Sequence, residues 1–176
     1  MALTSGGSEA MLGTFLAEQV GLAHDGPAWH GPALAENLEG LTAVQAASRP
    51  IPGAHSIWEI VLHATAWAAE VRRRLGGANP AMPLEGDWPD VGPVSEQAWT
   101  EARRALRNAH EALSQAARDF PSSRWHDRVG EEQDSPLGTG VSYAAMLSGL
   151  VQHDGYHGGQ IGLLRRALNP GAGPVS

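Results

Sequence analysis

Gln152-His153-Asp154-Gly155-Tyr156-His157-Gly158-Gly159-Gln160-Ile161 is the stretch on which the reading of this chain turns. It lies inside a predicted helix that starts at Tyr143, behind a Ser142 cap, and runs to about Leu168. Arg165 and Arg166 fall in its last turn, where cations suit the helix dipole, and Asn169-Pro170-Gly171 follow as a stop. On such a helix His153 and His157 are i and i+4, so both rings project from one face a turn apart. Two imidazoles so placed can share one metal ion.

Working outward, the clearest helix start lies upstream. Ser56 followed by Glu59 is a capping box, and the helix behind it carries Ile60, His63, Trp67 and Val71 before Leu75-Gly76-Gly77 ends it. Residues 96–119 read as another long helix, capped by Ser95, with Trp99, Leu106 and Leu113 on its apolar side. A fourth helix is expected over residues 8–23, from Met11, Leu12, Phe15, Leu16 and Val20, and a shorter one from Pro32 to about Leu41. Thr42 can cap a further short turn. Residues 78–94 and 121–141 read as loops, the second with a short hairpin around Gly130 or Gly138. No strand is indicated. The fold expected is all-α, a four-helix bundle with one or two extra short helices, in one domain over residues 1–176.

Composition narrows the chemistry. The 176 residues include no Cys and no Lys, so the 12 basic residues are all Arg, against 19 acidic ones and a net charge of −7. Disulfides, a thiolate nucleophile, Cys-bound metal, a Schiff-base lysine and a P-loop lysine are all excluded. The acidic balance opposes nucleic-acid binding. The run Arg72-Arg73-Arg74 reads as a solvated helix end. No apolar run approaches the ~20 residues of a membrane span, and the N-terminal residues lack the pattern of a signal peptide. A cytoplasmic protein is expected. The low-complexity stretches are Ser5-Gly6-Gly7 and Pro170–Pro174.

Eight histidines supply the candidate ligands. Beyond the His153–His157 pair a third ligand must come from another helix. His63 sits mid-helix in an apolar sequence, but His24, His30, His55 and His110 also lie at or near helices, and spacing does not choose among them. A zincin reading fails on the residues. Asp154 stands where the glutamate base would be, the extended motif's Gly and third His are replaced by Gln160 and Leu163, and none of the 19 residues after His157 is Glu.

The 152–161 stretch resembles the H-x-x-x-H-x-G-Q-I signature of the DinB-like superfamily. Pro52–His63 resembles that family's second helix, and Trp29-His30-Gly31-Pro32 with Leu34 is similar to one branch of it. The resemblance covers about residues 25–169. It implies a four-helix bundle, in many members a homodimer, with a divalent metal, zinc or nickel, held by His63, His153 and His157. Members of known activity include thiol-dependent S-transferases and a mycothiol-dependent isomerase. The expected function is therefore activation of a small-molecule thiol (S-transferase) or of water (hydrolase) at the metal. The alternative is a stress-response protein that binds metal or a small ligand without turnover. An open coordination position with an acid or base in reach favours the enzyme; a metal sealed in apolar packing favours the binding protein.

Around these ligands, Glu59 and Trp67 lie a turn either side of His63. Glu59 is a candidate base as well as the capping-box partner, and Trp67 a candidate pocket wall. Gln160 faces the same way as His157 and is a candidate to bond its ring or a bound water. His30 is a candidate pocket residue. Asp154, turned about 100° from His153, is expected at the surface. Gly155, Gly159 and Gly162 fall opposite the histidines, so that face is expected to pack closely on another helix, within the bundle or across a dimer.

Overall fold

In the computed structural model, which describes residues 5–130, 134 and 137–168, six α-helices are present: α1 (Ser5–His24), α2 (Leu34–Asn37), α3 (Ala43–Ala47), α4 (Ile57–Leu75), α5 (Glu96–Asp119) and α6 (Tyr143–Leu168). There is also one 3-10 turn, Ser122–Arg124, and no strand among the described residues. The four long helices form the bundle, with α1 and α4 each packed on both α5 and α6. Helices α4 and α1 are therefore diagonal to one another, as are α5 and α6. The Asn169–Gly171 stop and the Pro170–Pro174 stretch lie outside the described residues. No helix of the described residues is long and apolar enough to cross a membrane.

The caps read from the sequence are in place. Ser56 Oγ accepts from Glu59 N while the Glu59 carboxylate accepts from Ser56 N, closing both ends of the capping box. Thr42 and Gln45 form a second such box at α3. Ser95 caps α5, and Ser142 Oγ accepts from Ala145 N at the start of α6. Helix α1 begins three residues earlier than expected, over Ser5-Gly6-Gly7. The helix expected over residues 32–41 is only Leu34–Asn37, because Ala33 is extended at its N-cap and Gly40 turns to a left-handed φ of 70° just beyond. In the 121–141 loop the expected hairpin is reduced to a single antiparallel bridge, Arg128 to Ser142, which returns the chain to the start of α6.

Two apolar clusters fill the bundle. One joins α1 to the C-terminal half of α4 through Val20, Val71, Leu113, Trp125 and Leu147. The other gathers α2, α3 and the N-terminal half of α4 around Trp99, whose Nε1 donates to Leu41 O. His63 lies midway along α4, and His153 and His157 midway along α6, so the histidines fall between these two cores.

Arg72-Arg73-Arg74 is not a solvated end. Arg72 is exposed, but Arg74 is 1% exposed. Its Nε pairs with Glu70 Oε1 at 2.8 Å, and its terminal nitrogens donate to Leu137 O and Ala81 O. The two long loops fold over this helix end and bury it. The i, i+4 spacing of Glu70 and Arg74 makes that burial affordable, because a buried charge needs a partner.

The glycine face of α6 also differs in detail. A Cβ on Gly158 would meet Leu34, Asn37 and the Pro32 carbonyl; one on Gly155 would meet the His30 ring; one on Gly162 would meet Asn37. What packs there is the short 30–37 segment, tied further by Arg165 to Asn37 O. Gly159 is exposed, and a Cβ on it meets nothing within 4 Å. Gly158→Leu should therefore cost roughly 1–3 kcal/mol by overpacking. Gly159→Leu should leave urea stability unchanged or slightly raised, since Leu is the better helix former. Equal losses in the two variants would contradict this packing.

Candidate metal centre

The centre is built by two helices and one loop. Helix α4 presents His63, α6 presents His153 and His157, and the 78–94 loop lays Asp87 and Trp88 over them. His63 Nε2 is 2.9 Å from His153 Nε2, and His157 Nε2 is 3.1 Å from the same atom. All three offer one ligand nitrogen within 4.8 Å of the others. Two nitrogens bound to one zinc ion at about 2.0–2.1 Å stand roughly 3 Å apart.

The other ring nitrogens show what this approach requires. His63 Nδ1 lies 2.6 Å from Asp87 O, and a carbonyl can only accept. Its proton is therefore on Nδ1, and the neutral ring points a bare Nε2 lone pair at its neighbours. Gln160 Oε1, 2.6 Å from His157 Nδ1, does the same for His157. Bare lone pairs aimed at one point about 3 Å apart repel unless a positive charge lies among them. One proton on His153 Nε2 can answer only one of the two. The donor set fits a divalent metal: three imidazoles, two held in the ligating tautomer by acceptors behind them.

Burial reinforces the neutral state. It pushes the His157 pKa down to about 4, with the neighbouring His153 a further push. Burial lowers His63 as well, against the pull of the Asp87 backbone bond and carboxylate. Trp88 stacks on the His63 ring at 3.9 Å between centroids and on His55 at 3.6 Å, which restrains the loop against the site.

Asp154 is fully buried rather than at the surface. The 100° rotation from His153 turns it across the bundle toward α5, where its Oδ2 lies 3.0 Å from His110 Nε2. His110 Nδ1 donates to Leu106 O at 2.9 Å. Burial disfavours charge on both partners, yet each sustains the other. The Asp154 carboxylate raises the His110 pKa, and His110 holds Asp154 below the usual carboxylate range. The second oxygen, Asp154 Oδ1, is 3.9 Å from His153 Nδ1, and neither atom has a hydrogen-bond partner among the described residues. A small rotation of either side chain closes a carboxylate–histidine pair behind the third ligand, as is usual at metal sites. On the far side His24 stacks on His110 at 4.7 Å, and burial, then the charge on His110, pushes the His24 pKa down to about 4.

The remaining sequence candidates fall as follows. Gln160 bonds a ligand ring. Glu59 is occupied by the Ser56 cap and by Arg49, and although burial opposes its charge, those bonds hold its pKa down. Trp67 lines the cavity beside the histidines, and its Nε1 donates to Asp87 Oδ1 at 2.7 Å. His30 does not line that cavity; it is exposed and rests on Gly155, on the other face of α6. Asp87, Trp88, Asp154 and His110 are the site residues that sequence reasoning missed. Asp87 and Trp88 sit in an irregular loop, and the Asp154–His110 pair spans 44 residues, so neither spacing nor periodicity marks them.

A cavity of about 500 Å³ opens on His63 and His153, with Asp87 on its wall. The three-histidine cluster is thus not sealed by apolar packing.

Residues 29–161, more than half of the chain, match the DinB superfamily. No curated protein and no solved structure matches.

The protonation pattern predicts an acid-sensitive apoprotein. His24 and His157 must stay neutral in the fold but charge freely once unfolded, so the unfolded chain binds more protons between pH 6.5 and about 4. The contribution of these two histidines should be full above about pH 6.5 and fall as the pH drops through that window, partly offset by His110, whose raised pKa favours the fold as the pH falls. His24→Phe, which keeps the stacked ring, should flatten the fall by roughly 1–3 kcal/mol. Urea titrations of both apoproteins at pH 7.5 and 4.5 measure it; parallel pH profiles would refute the assignment.

Proposed function

The chain belongs to the DinB superfamily, and we propose that it is a metal-dependent enzyme that activates a low-molecular-weight thiol, or water, at its three-histidine centre. The observation that carries the reading is the cavity opening on His63 and His153 beside a carboxylate. A closed structural site would have neither.

In this reading His63, His153 and His157 hold a divalent ion, zinc or nickel. A metal so bound lowers the pKa of a coordinated thiol or water and presents the resulting anion to an electrophile. The chain's own residues supply the rest. Asp87 O and Gln160 keep two of the ligating tautomers. Asp154, braced by His110, stands 3.9 Å from His153 Nδ1 and would orient that ring once the gap closes on metal binding. Trp67 Nε1 fixes one oxygen of Asp87, whose side chain is 41% exposed and faces the cavity. Asp87 is the group placed to take the proton released by the incoming thiol or water. With no cysteine in the sequence, any thiol chemistry at the centre would use a thiol brought from outside.

Metal analysis of tag-free protein should find about one divalent ion per chain, lost in His63→Ala and in His157→Ala. Asp154→Asn should keep the site but weaken its metal affinity about 10–100-fold. The loaded protein should conjugate a thiol to an electrophile or hydrolyse an activated ester, and Asp87→Asn should slow that step at least tenfold without altering metal content. No metal uptake by the wild type would overturn the proposal; uptake without turnover would favour a binding protein.

A further inference from the structure

The cavity beside the histidines carries information about what it accepts. At the inner end of α4 and along α6 its walls are Val71, Met146, Leu150, Val141 and the Trp67 ring. Its polar groups gather at one end, His63, His153 and Asp87. Among the described residues one arginine reaches it, Arg74, and Arg74 is engaged: Nε on Glu70, the terminal nitrogens on Leu137 O and Ala81 O, and its charge matched by buried Glu70. Among the described residues of the lining no arginine therefore offers a free positive charge to a carboxylate, sulfonate or phosphate, and Asp87 repels one. At roughly 30 Å³ per water-sized group, about 500 Å³ holds an eight-carbon chain or a bicyclic aryl group with room to spare.

We propose that this cavity binds the apolar body of the acceptor substrate, a neutral molecule with a long alkyl or aryl group whose reactive end lies against His63 and His153. The choice of reactive end rests on the reading of the histidines as a metal centre; the apolar, charge-rejecting character of the cavity does not. Away from the histidines the same walls give no counter-charge to an anionic substituent on that body.

Two probes of one shape separate the possibilities. N-phenyl-1-naphthylamine is neutral, and 8-anilinonaphthalene-1-sulfonate is the same skeleton with an anionic group. The apoprotein should bind the neutral probe at one site, read by its fluorescence, and the anionic probe at least tenfold more weakly. Gly149 lines the cavity, and a Cβ there meets nothing within 4 Å. Gly149→Leu should therefore fill the space, cutting affinity for the neutral probe at least tenfold with an unchanged circular dichroism spectrum and an unchanged or slightly raised melting temperature. In cobalt-loaded protein without thiol, neutral acceptors of rising length, 1,2-epoxyalkanes of four to eight carbons, should displace the probe with affinity rising about fourfold per methylene. Equal or tighter binding of the sulfonate, indifference of the neutral probe to Gly149→Leu, or no gain with epoxide chain length would overturn the proposal. If the protein takes up no cobalt, the metal reading falls, and the two probes on the apoprotein still decide the cavity.

Discussion

His63 Nε2, His153 Nε2 and His157 Nε2 meet where α4 crosses α6, and everything around them serves that approach. Each ring can offer a lone pair only if its other nitrogen keeps a proton, and a proton in a buried place needs an acceptor. Two acceptors are in place, Asp87 O from the 78–94 loop and Gln160 Oε1 from the same helix, while Asp154, held by His110 of the diagonal helix, stands 3.9 Å behind His153. The loop is long because it must reach back over the middle of α4. Trp88, stacked on His63 and His55, holds it there.

The buried Asp154–His110 pair is the costliest of these arrangements. Removing a carboxylate and an imidazole from water is repaid only when both charges are paired and both ring nitrogens donate. His110 meets that condition through Asp154 and Leu106 O. The stacked His24 stays neutral beside the charged ring, which avoids a second buried cation. A hydrophobic pair would serve stability as well, so the polar one points to a role at the neighbouring ligand. The cavity makes the opposite choice. Its Arg74 is neutralised by Glu70 and two carbonyls, which leaves an apolar space ending at the polar corner of His63, His153 and Asp87.

Much of this was legible in the residues. The Ser56–Glu59 and Ser95 caps, the Gly76-Gly77 stop and the i, i+4 histidines are local signals, written within a turn or two of chain, and they located α4, α5 and α6 and the ligand pair. The errors share one cause. Asp154 and Arg74 were expected in solvent because charged residues usually are, and whether a helix face meets solvent depends on what lies across from it. Gly159 was expected to be packed because it is opposite the histidines, but the short 30–37 segment covers Gly155, Gly158 and Gly162 and stops short of it.

The sequence by itself determined the all-helical elements, the His153–His157 pair, the absence of any cysteine or lysine chemistry, and the family signature, because these rest on periodicity, capping and composition, which are properties of neighbouring residues. Only the tertiary structure decided which acceptors fix the imidazole tautomers, that Asp154 faces His110 rather than water, and that the space beside the histidines is apolar with its one cation already neutralised. Those depend on contacts between residues 24, 44 or 90 positions apart in the chain. Such contacts exist only once the helices have been laid side by side and the loops folded over them.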